Sequence, residues 1–391
     1  MKQKTARMPR LYLICLSAFF TFLGAACSNE HKPEQNAAET SATIEEKPGK
    51  PGTAAPDSAT ATETVSPARK EVARMPEYTT SRKYVSFSAQ SLQAWQKAIP
   101  EIQNIKVTST KDGKQEPALF FNSGSAEKKP LLVVLHSWSD EYLQQASIPF
   151  CLWAKKYDWV FIQPNYRGIF QTPEAMGSEL AIQDIVDAVN YAKKNANVDA
   201  SRVYVTGASG GGMGSLLAVS HHPEIWAGVA AWVPVVDILD WYKYNAKFPS
   251  RKYRKQIVAA AGGDPTQSEK AAEETKKRSP IAHLSQKINV PIYIAHGIKD
   301  ILVPPDHALR AFNLLANEDD RFTEEQINYI LKNQAVPPSL KSSNAETYFG
   351  PADPKVHLVR ESGNVKLVLF EGVHDLVYNP TLLWLNEQQK R

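Results

Sequence analysis

Apolar residues recur along most of the chain with a period that switches between two and about three and a half. "LQAWQKAI" (92–99) spaces its apolar positions as an amphipathic helix, whereas "IQNIKVTST" (102–110) alternates as a half-buried strand. "KDGK" supplies an Asp-Gly turn, and "PALFFNS" (117–123) reads as the partner strand of a hairpin. "PLLVVLHS" (130–137) is continuously apolar, which fits a strand covered on both faces. Strand and helix patterns then alternate: "DWVFIQPNYRG", "GSELAIQDIVDAVNYAKKN", "RVYVTG" and "GMGSLLAVSHH". Three further strands are read in "WAGVAAWVP", "VPIYIAHG" and "VKLVLFEG". A hairpin followed by strand–helix repeats predicts one α/β domain, a mostly parallel central sheet with helices on both faces.

The N-terminal fifth has a different pattern. Lys2, Lys4, Arg7 and Arg10 precede an uncharged, mostly apolar run from Leu11 to Ala26, which reads as an export signal. The small residues before Cys27 resemble the lipobox of bacterial lipoproteins, with Gly24 where leucine is usual. Residues 1–26 are therefore expected to be a lipoprotein signal peptide, and Cys27 to carry lipid that anchors the protein at the cell envelope, in the periplasm or at the outer membrane. A plain cleaved signal and an uncleaved anchor are the alternatives. Residues 27–76, rich in Ala, Thr, Glu, Lys and Pro, bury too little surface to offset the entropy of ordering and are expected to form a tether. The globular domain is expected over 77–391.

Composition narrows the chemistry. With 43% hydrophobic and 22% charged residues in 391, the chain can bury a full core. A formal charge of +4 without a long basic run gives no reason to expect a nucleic-acid partner. Apart from Cys15 and Cys27, the remaining cysteine is Cys151, in the apolar "IPFCLWA"; it is expected to be buried and inert. No residue cluster implies a metal or cofactor.

Ligand chemistry in open α/β sheets collects beyond the carboxyl ends of the strands. There stand "HSWSD", "PNYRG", "GASGG", "IKD" and "VHD". Gly207-Ala208-Ser209-Gly210-Gly211 matches G-x-S-x-G, in which a serine at a strained strand-to-helix corner needs neighbours without side chains. A tight corner with an incidental serine would show the same pattern. The order of possible partners separates the two readings: Asp300 in "AHGIKD" and His374 in "FEGVHD" follow Ser209 in the order acid, then base. Asp306 and His307 are rivals near Asp300. His296 is read as packing or making a local hydrogen bond, and Asp375 as a surface or local hydrogen-bonding carboxylate. Oxyanion donors are expected from the backbone N–H of Gly210 and of Trp138, with Ser137 competing for the second place.

"PNYRG" (164–168), "GASGGGMGS" (207–215), "RSPIAHL" (278–284), "VPIYIAHGIKDILVP" (290–304) and "EGVHD" (371–375) together resemble the α/β-hydrolase fold, and within it the catalytic domain of the prolyl oligopeptidase family. The resemblance implies a nucleophile, acid and base at Ser209, Asp300 and His374. The stretch before Lys129 has room for a hairpin and a short helix, not for the β-propeller that normally precedes this domain. The spacing from Asp300 to His374 leaves an insertion at about 317–357, expected to place the helix of "FTEEQINYILKN" over the cleft. "LHSW" looks more like secreted esterases and depolymerases.

These features give an exported serine hydrolase cleaving an ester, of a carbohydrate or an aromatic acyl group, through an acyl-enzyme. The alternatives are a serine peptidase acting on short peptides and a non-catalytic binding protein on a hydrolase scaffold. "DILDWYKYNAKFPSRKYRKQ" (237–256), dense in aromatics and positive charge, reads either as a cap over the substrate or as a solvated insertion with Trp241 and Tyr242 tucked inward.

Overall fold

The computed structural model describes residues 71–86, 88–342 and 344–390. The signal peptide, Cys27 and nearly all of the tether read from the sequence lie outside them. In chain order the helices are α1 (Ser81–Tyr84), α2 (Leu92–Ala98), α3 (Ile148–Tyr157), α4 (Glu179–Asn195), α5 (Gly210–His221), α6 (Ile238–Tyr244), α7 (Tyr253–Ala261), α8 (Glu269–Lys277), α9 (Asp306–Leu315), α10 (Glu324–Asn333) and α11 (Tyr378–Asn386). The strands are β1 (Gln103–Thr108), β2 (Gln115–Phe121), β3 (Lys129–Leu135), β4 (Val160–Pro164), β5 (Val198–Ala208), β6 (Gly228–Trp232), β7 (Ile292–Gly297), β8 (Val356–Ser362) and β9 (Val365–Phe370).

These strands form one sheet in the order β1-β2-β4-β3-β5-β6-β7-β9-β8. The six from β4 to β9 along that order run parallel, the β1–β2 hairpin is antiparallel at one edge, and β8 is antiparallel at the other. The mixed, mostly parallel α/β fold and its N-terminal hairpin are those expected from the sequence. Strand β8 was not expected. Its "VHLVRES" mixes polar and apolar positions at the sheet edge, and the turn to β9 passes through Gly363 at φ 54°.

Period-two alternation divides the interior into two cores. Leu131, Val133 and Leu135 of β3 join the one that holds α4, α5 and α9, while Leu132 and Val134 join the one with α3 and α11. Both faces are therefore covered, which is why β3 is apolar at nearly every position. Cys151 on α3 is a free thiol in the second core, its pKa pushed up by burial. Packing extends upstream of residue 77: Met75 is buried, and Arg74 pairs with Asp353 at 3.0 Å.

An ion cluster fastens the hairpin to the parallel sheet. Arg167, just after β4, donates to Asp184 on α4 at 2.6 and 3.0 Å, to Asp112 in the hairpin turn at 2.7 and 3.0 Å, and to Ser109 at 3.0 Å. Its guanidinium holds the Asp112 carboxyl well below the usual carboxylate range. Removing one partner of such a buried cluster leaves the others uncompensated. Arg167→Ala is therefore expected to lower the free energy of unfolding by about 3–5 kcal/mol in urea titration, and a loss under 1 kcal/mol would contradict this role for the cluster.

Candidate active site

Register brings the five strand-end segments together. Leu135 of β3 lies opposite Gly207 of β5, so the turn after β3 sits beside the serine corner. Gly297 of β7 lies opposite Phe370 of β9, which places Asp300 and His374 a few residues beyond adjacent strand ends.

Ser209 occupies the corner between β5 and α5 at φ 60°, ψ −116°, a conformation costly for a residue with a side chain. Its N–H donates to Trp232 O at 2.9 Å, and its carbonyl accepts from Met213 N at 2.9 Å. The surrounding glycines are demanded by close approach. A Cβ on Gly211 would lie 2.2 Å from Leu135 O, one on Gly210 would lie 2.5 Å from Trp138 N, and one on Gly207 would lie 2.5 Å from the Gly211 carbonyl carbon. Sequence reasoning assigned the glycines to the bend itself; in the structure they also admit the neighbouring turn.

That turn is held by polar bonds. Ser137 N donates to Gln144 Oε1 at 2.9 Å, and Ser137 Oγ donates to Ala208 O at 3.3 Å. The Trp138 indole N–H donates to Gln256 Oε1 at 3.2 Å. With its N–H already committed to Gln144, Ser137 is the poorer candidate for a free donor. The Trp138 backbone N–H, beside Gly210, donates to no described residue.

Asp300 is buried, and both carboxylate oxygens are engaged. Oδ1 accepts from Leu302 N at 2.8 Å and Val303 N at 3.1 Å, while Oδ2 lies 2.7 Å from His374 Nδ1 and 3.3 Å from His296 Nε2. Burial alone would raise its pKa; the charge and hydrogen bonds of His374 and His296 outweigh burial and hold it well below the usual carboxylate range. Of the rivals, Asp306 stands at the start of α9 with Oδ1 unpartnered, and its pKa is pushed up by burial. His307 Nδ1 accepts from Val236 N at 3.1 Å and Asp237 N at 3.3 Å, and desolvation holds this ring down to about 4. His296 Nε2 also donates to Val303 O at 2.9 Å, the local hydrogen bond read from the sequence.

Ser209, His374, Ser137 and Trp138 line one cleft of about 400 Å³. Ser139, Asp140, Tyr253 and Leu302 line it too, and so do Arg82, Val85, Ser86 and Ser88 of an N-terminal segment. This N-terminal wall was not found from the sequence, because its polar residues carry no period. It is fixed by Asp375, a buried, local hydrogen-bonding carboxylate, the second of the two readings made from the sequence, which accepts from Ser81 Oγ, from Arg82 N at 3.2 Å and from Leu376 N at 2.8 Å.

The expected lid is corrected. Helix α10 packs on α9 beneath Arg310, which pairs with Glu324 at 2.8 Å, and no described residue of 317–357 lines the cleft. The aliphatic face of "FTEEQINYILKN" is spent on the core, where Ile327 and Ile330 are buried. Of the 237–256 segment, Trp241 and Tyr242 do point inward, with Trp241 edge-on to Trp138 at 4.8 Å, while Tyr253 reaches the cleft wall.

A family model described as the prolyl oligopeptidase family matches residues 153–329. The chain is 25% identical over 212 residues to the acylamino-acid-releasing enzyme of Mus musculus, covering 50% of this chain and 27% of that enzyme. It is 29% identical over 127 residues to the uncharacterized peptidase YtmA of Bacillus subtilis, covering 32% of this chain and 46% of the relative. Among solved structures, Pyrococcus horikoshii acylaminoacyl peptidase aligns with a TM-score of 0.45 at 18% identity over 55% of this chain and 34% of its own. The chain thus spans about a quarter of the length of the acylamino-acid-releasing enzymes it matches. The chain has an α/β-hydrolase fold resembling the catalytic domain of the prolyl oligopeptidase family.

Proposed function

We propose that the protein cleaves an acyl bond in a short, peptide-like substrate through an acyl-enzyme formed on Ser209. The observation that carries this reading is one cleft lined by both Ser209 and His374, with His374 Nδ1 held 2.7 Å from the buried Asp300 carboxylate. Ser209 Oγ attacks the carbonyl carbon while His374 takes its proton on Nε2. The N–H groups of Gly210 and Trp138 receive the oxyanion, and His374 returns the proton to the leaving nitrogen. Water then repeats the sequence on the acyl-enzyme, regenerating the Ser209 hydroxyl.

The comparisons favour a peptide over the ester expected from the sequence, since the matching relatives are named as a peptidase and as acylamino-acid-releasing enzymes. A cleft of about 400 Å³ sits at the small end of ligand sites, which favours a short substrate. We also propose export with lipid on Cys27, a reading supported by the charge and apolar pattern of residues 1–27.

Incubation with a fluorophosphonate is expected to modify Ser209, with no adduct on Ser209→Ala and a rate at least about a hundredfold lower for His374→Ala. An adduct elsewhere, or equal labelling of His374→Ala, overturns the catalytic assignment. Peptidyl anilides are expected to turn over with higher kcat/KM than matched acyl esters of unactivated alcohols; the opposite ranking would restore the ester. Gln144→Ala frees Ser137 N and loosens the turn carrying Trp138, so kcat is expected to fall about tenfold, less than outright loss of an oxyanion donor. In a bacterial host, the full chain is expected in the membrane fraction and Cys27→Ala in the soluble fraction; identical partition of the two would remove the lipid anchor.

A further inference from the structure

Asp140 stands in the cleft with an unmet demand. The residue is only 2% exposed, and its Oδ1 is buried without a hydrogen-bond partner among the described residues. Its backbone N–H is spent on Ser137 O at 3.1 Å, which closes the turn and fixes the residue just past Trp138. Neighbouring Ser139 Oγ is likewise buried and unpartnered. A buried carboxyl without donors from the protein is unfavourable, and it persists where a ligand supplies what is missing.

The geometry points to Asp140 as the recognition group for a substrate amino group: we propose that the cleft selects peptide-like substrates bearing a free, protonated amine within one or two residues of the carbonyl that Ser209 attacks. This rests on the acyl-transfer reading above for the position of that carbonyl. Asp140 follows two residues after Trp138, whose N–H faces the oxyanion, so a group bound to its carboxylate lies close to the reacting carbon. An ammonium supplies both a donor and a compensating charge, whereas a hydroxyl or an acylated nitrogen supplies only the donor. Trp138 and Tyr253 line the same cleft, and aromatic walls also favour a cation.

The surrounding charges are compatible. Burial pushes the Asp140 carboxyl up to about 7, with Lys252 drawing it down and Glu141 raising it. A bound ammonium restores its charged form. Arg82 and Lys252 are exposed to solvent, where screening weakens their repulsion of an incoming amine. His136, which opens the turn, His374, Tyr253 and Tyr166 are also titratable groups around it.

The test compares alanyl- and alanylalanyl-4-nitroanilide with their N-acetyl counterparts and with analogues carrying a hydroxyl in place of the amine. The wild-type protein is expected to favour the free amine in kcat/KM by about tenfold or more for at least one length, and Asp140→Asn to bring that ratio to within about threefold of unity. A purely structural role would lower all substrates together and leave the ratio intact, which overturns the proposal. So does a wild-type preference for the acetylated series, or equal use of the hydroxyl analogues. Calorimetry of alanylalanine amide and its N-acetyl form on Ser209→Ala reads the same selectivity without turnover. Absence of fluorophosphonate labelling would refute the hydrolase reading, while equal affinity for the two amides would refute the amine site.

Discussion

Everything at the centre of this molecule depends on two backbone segments approaching more closely than side chains permit. The corner at Ser209 and the turn after β3 meet where Gly211 faces Leu135 O and Gly210 faces Trp138 N. A methyl group at either glycine would force the segments apart, and the separation decides whether the amides on both sides can address one oxygen atom. Ser209 is held at positive φ by bonds on either side of it, from its N–H to Trp232 and from Met213 to its carbonyl. Such strain persists only where the surroundings over-determine the backbone. Here the neighbouring strand, the following helix and the turn all do so.

The parts of this arrangement that were legible in the sequence are those with a period or a fixed order. Alternation located β1, and apolar runs located the strands of the parallel sheet, because a strand covered on both faces is apolar at nearly every position, as β3 is after Lys129. The order Ser209, Asp300, His374 was legible because each residue ends a recognisable strand, and parallel register then brings the ends together. Strand β8 was missed because an edge strand is free to carry His357, Arg360 and Glu361. The helix of residues 324–333 was found but misplaced: amphipathicity announces a buried face without saying which surface buries it. The preference for Trp138 over Ser137 as the proposed donor rests on the Gln144 bond, a contact between side chain and backbone that no spacing encodes.

The N-terminal wall illustrates a further limit. Residues 79–82 are tied to the loop of the proposed base by Asp375, by Ser81 N donating to Leu376 O at 3.0 Å and by Tyr378 N donating to Thr79 O at 3.2 Å. The segment thus lies beside His374 although it is nearly 300 residues away in sequence. A carboxylate next to a proposed catalytic histidine invites a role in the chemistry. Its actual partners are a hydroxyl and backbone amides, so it organises one rim of the cleft, and proximity in sequence is a poor guide to function.

Asp300 shows how the proposed triad is made directional. A buried carboxyl surrounded by apolar residues would take up a proton, yet this one receives two backbone N–H groups on Oδ1 and faces two imidazoles on Oδ2. The Val303 carbonyl can only accept, so His296 must carry its hydrogen on Nε2, and that ring then presents a donor to the same region as Asp300 Oδ2. With the carboxylate kept ionised, His374 is held with its hydrogen on Nδ1 and its basic nitrogen on the other side of the ring. The backbone bonds fix the position of the acid, and the acid fixes the tautomer of the base. The strained corner fixes where the hydroxyl must stand for that base to be of use.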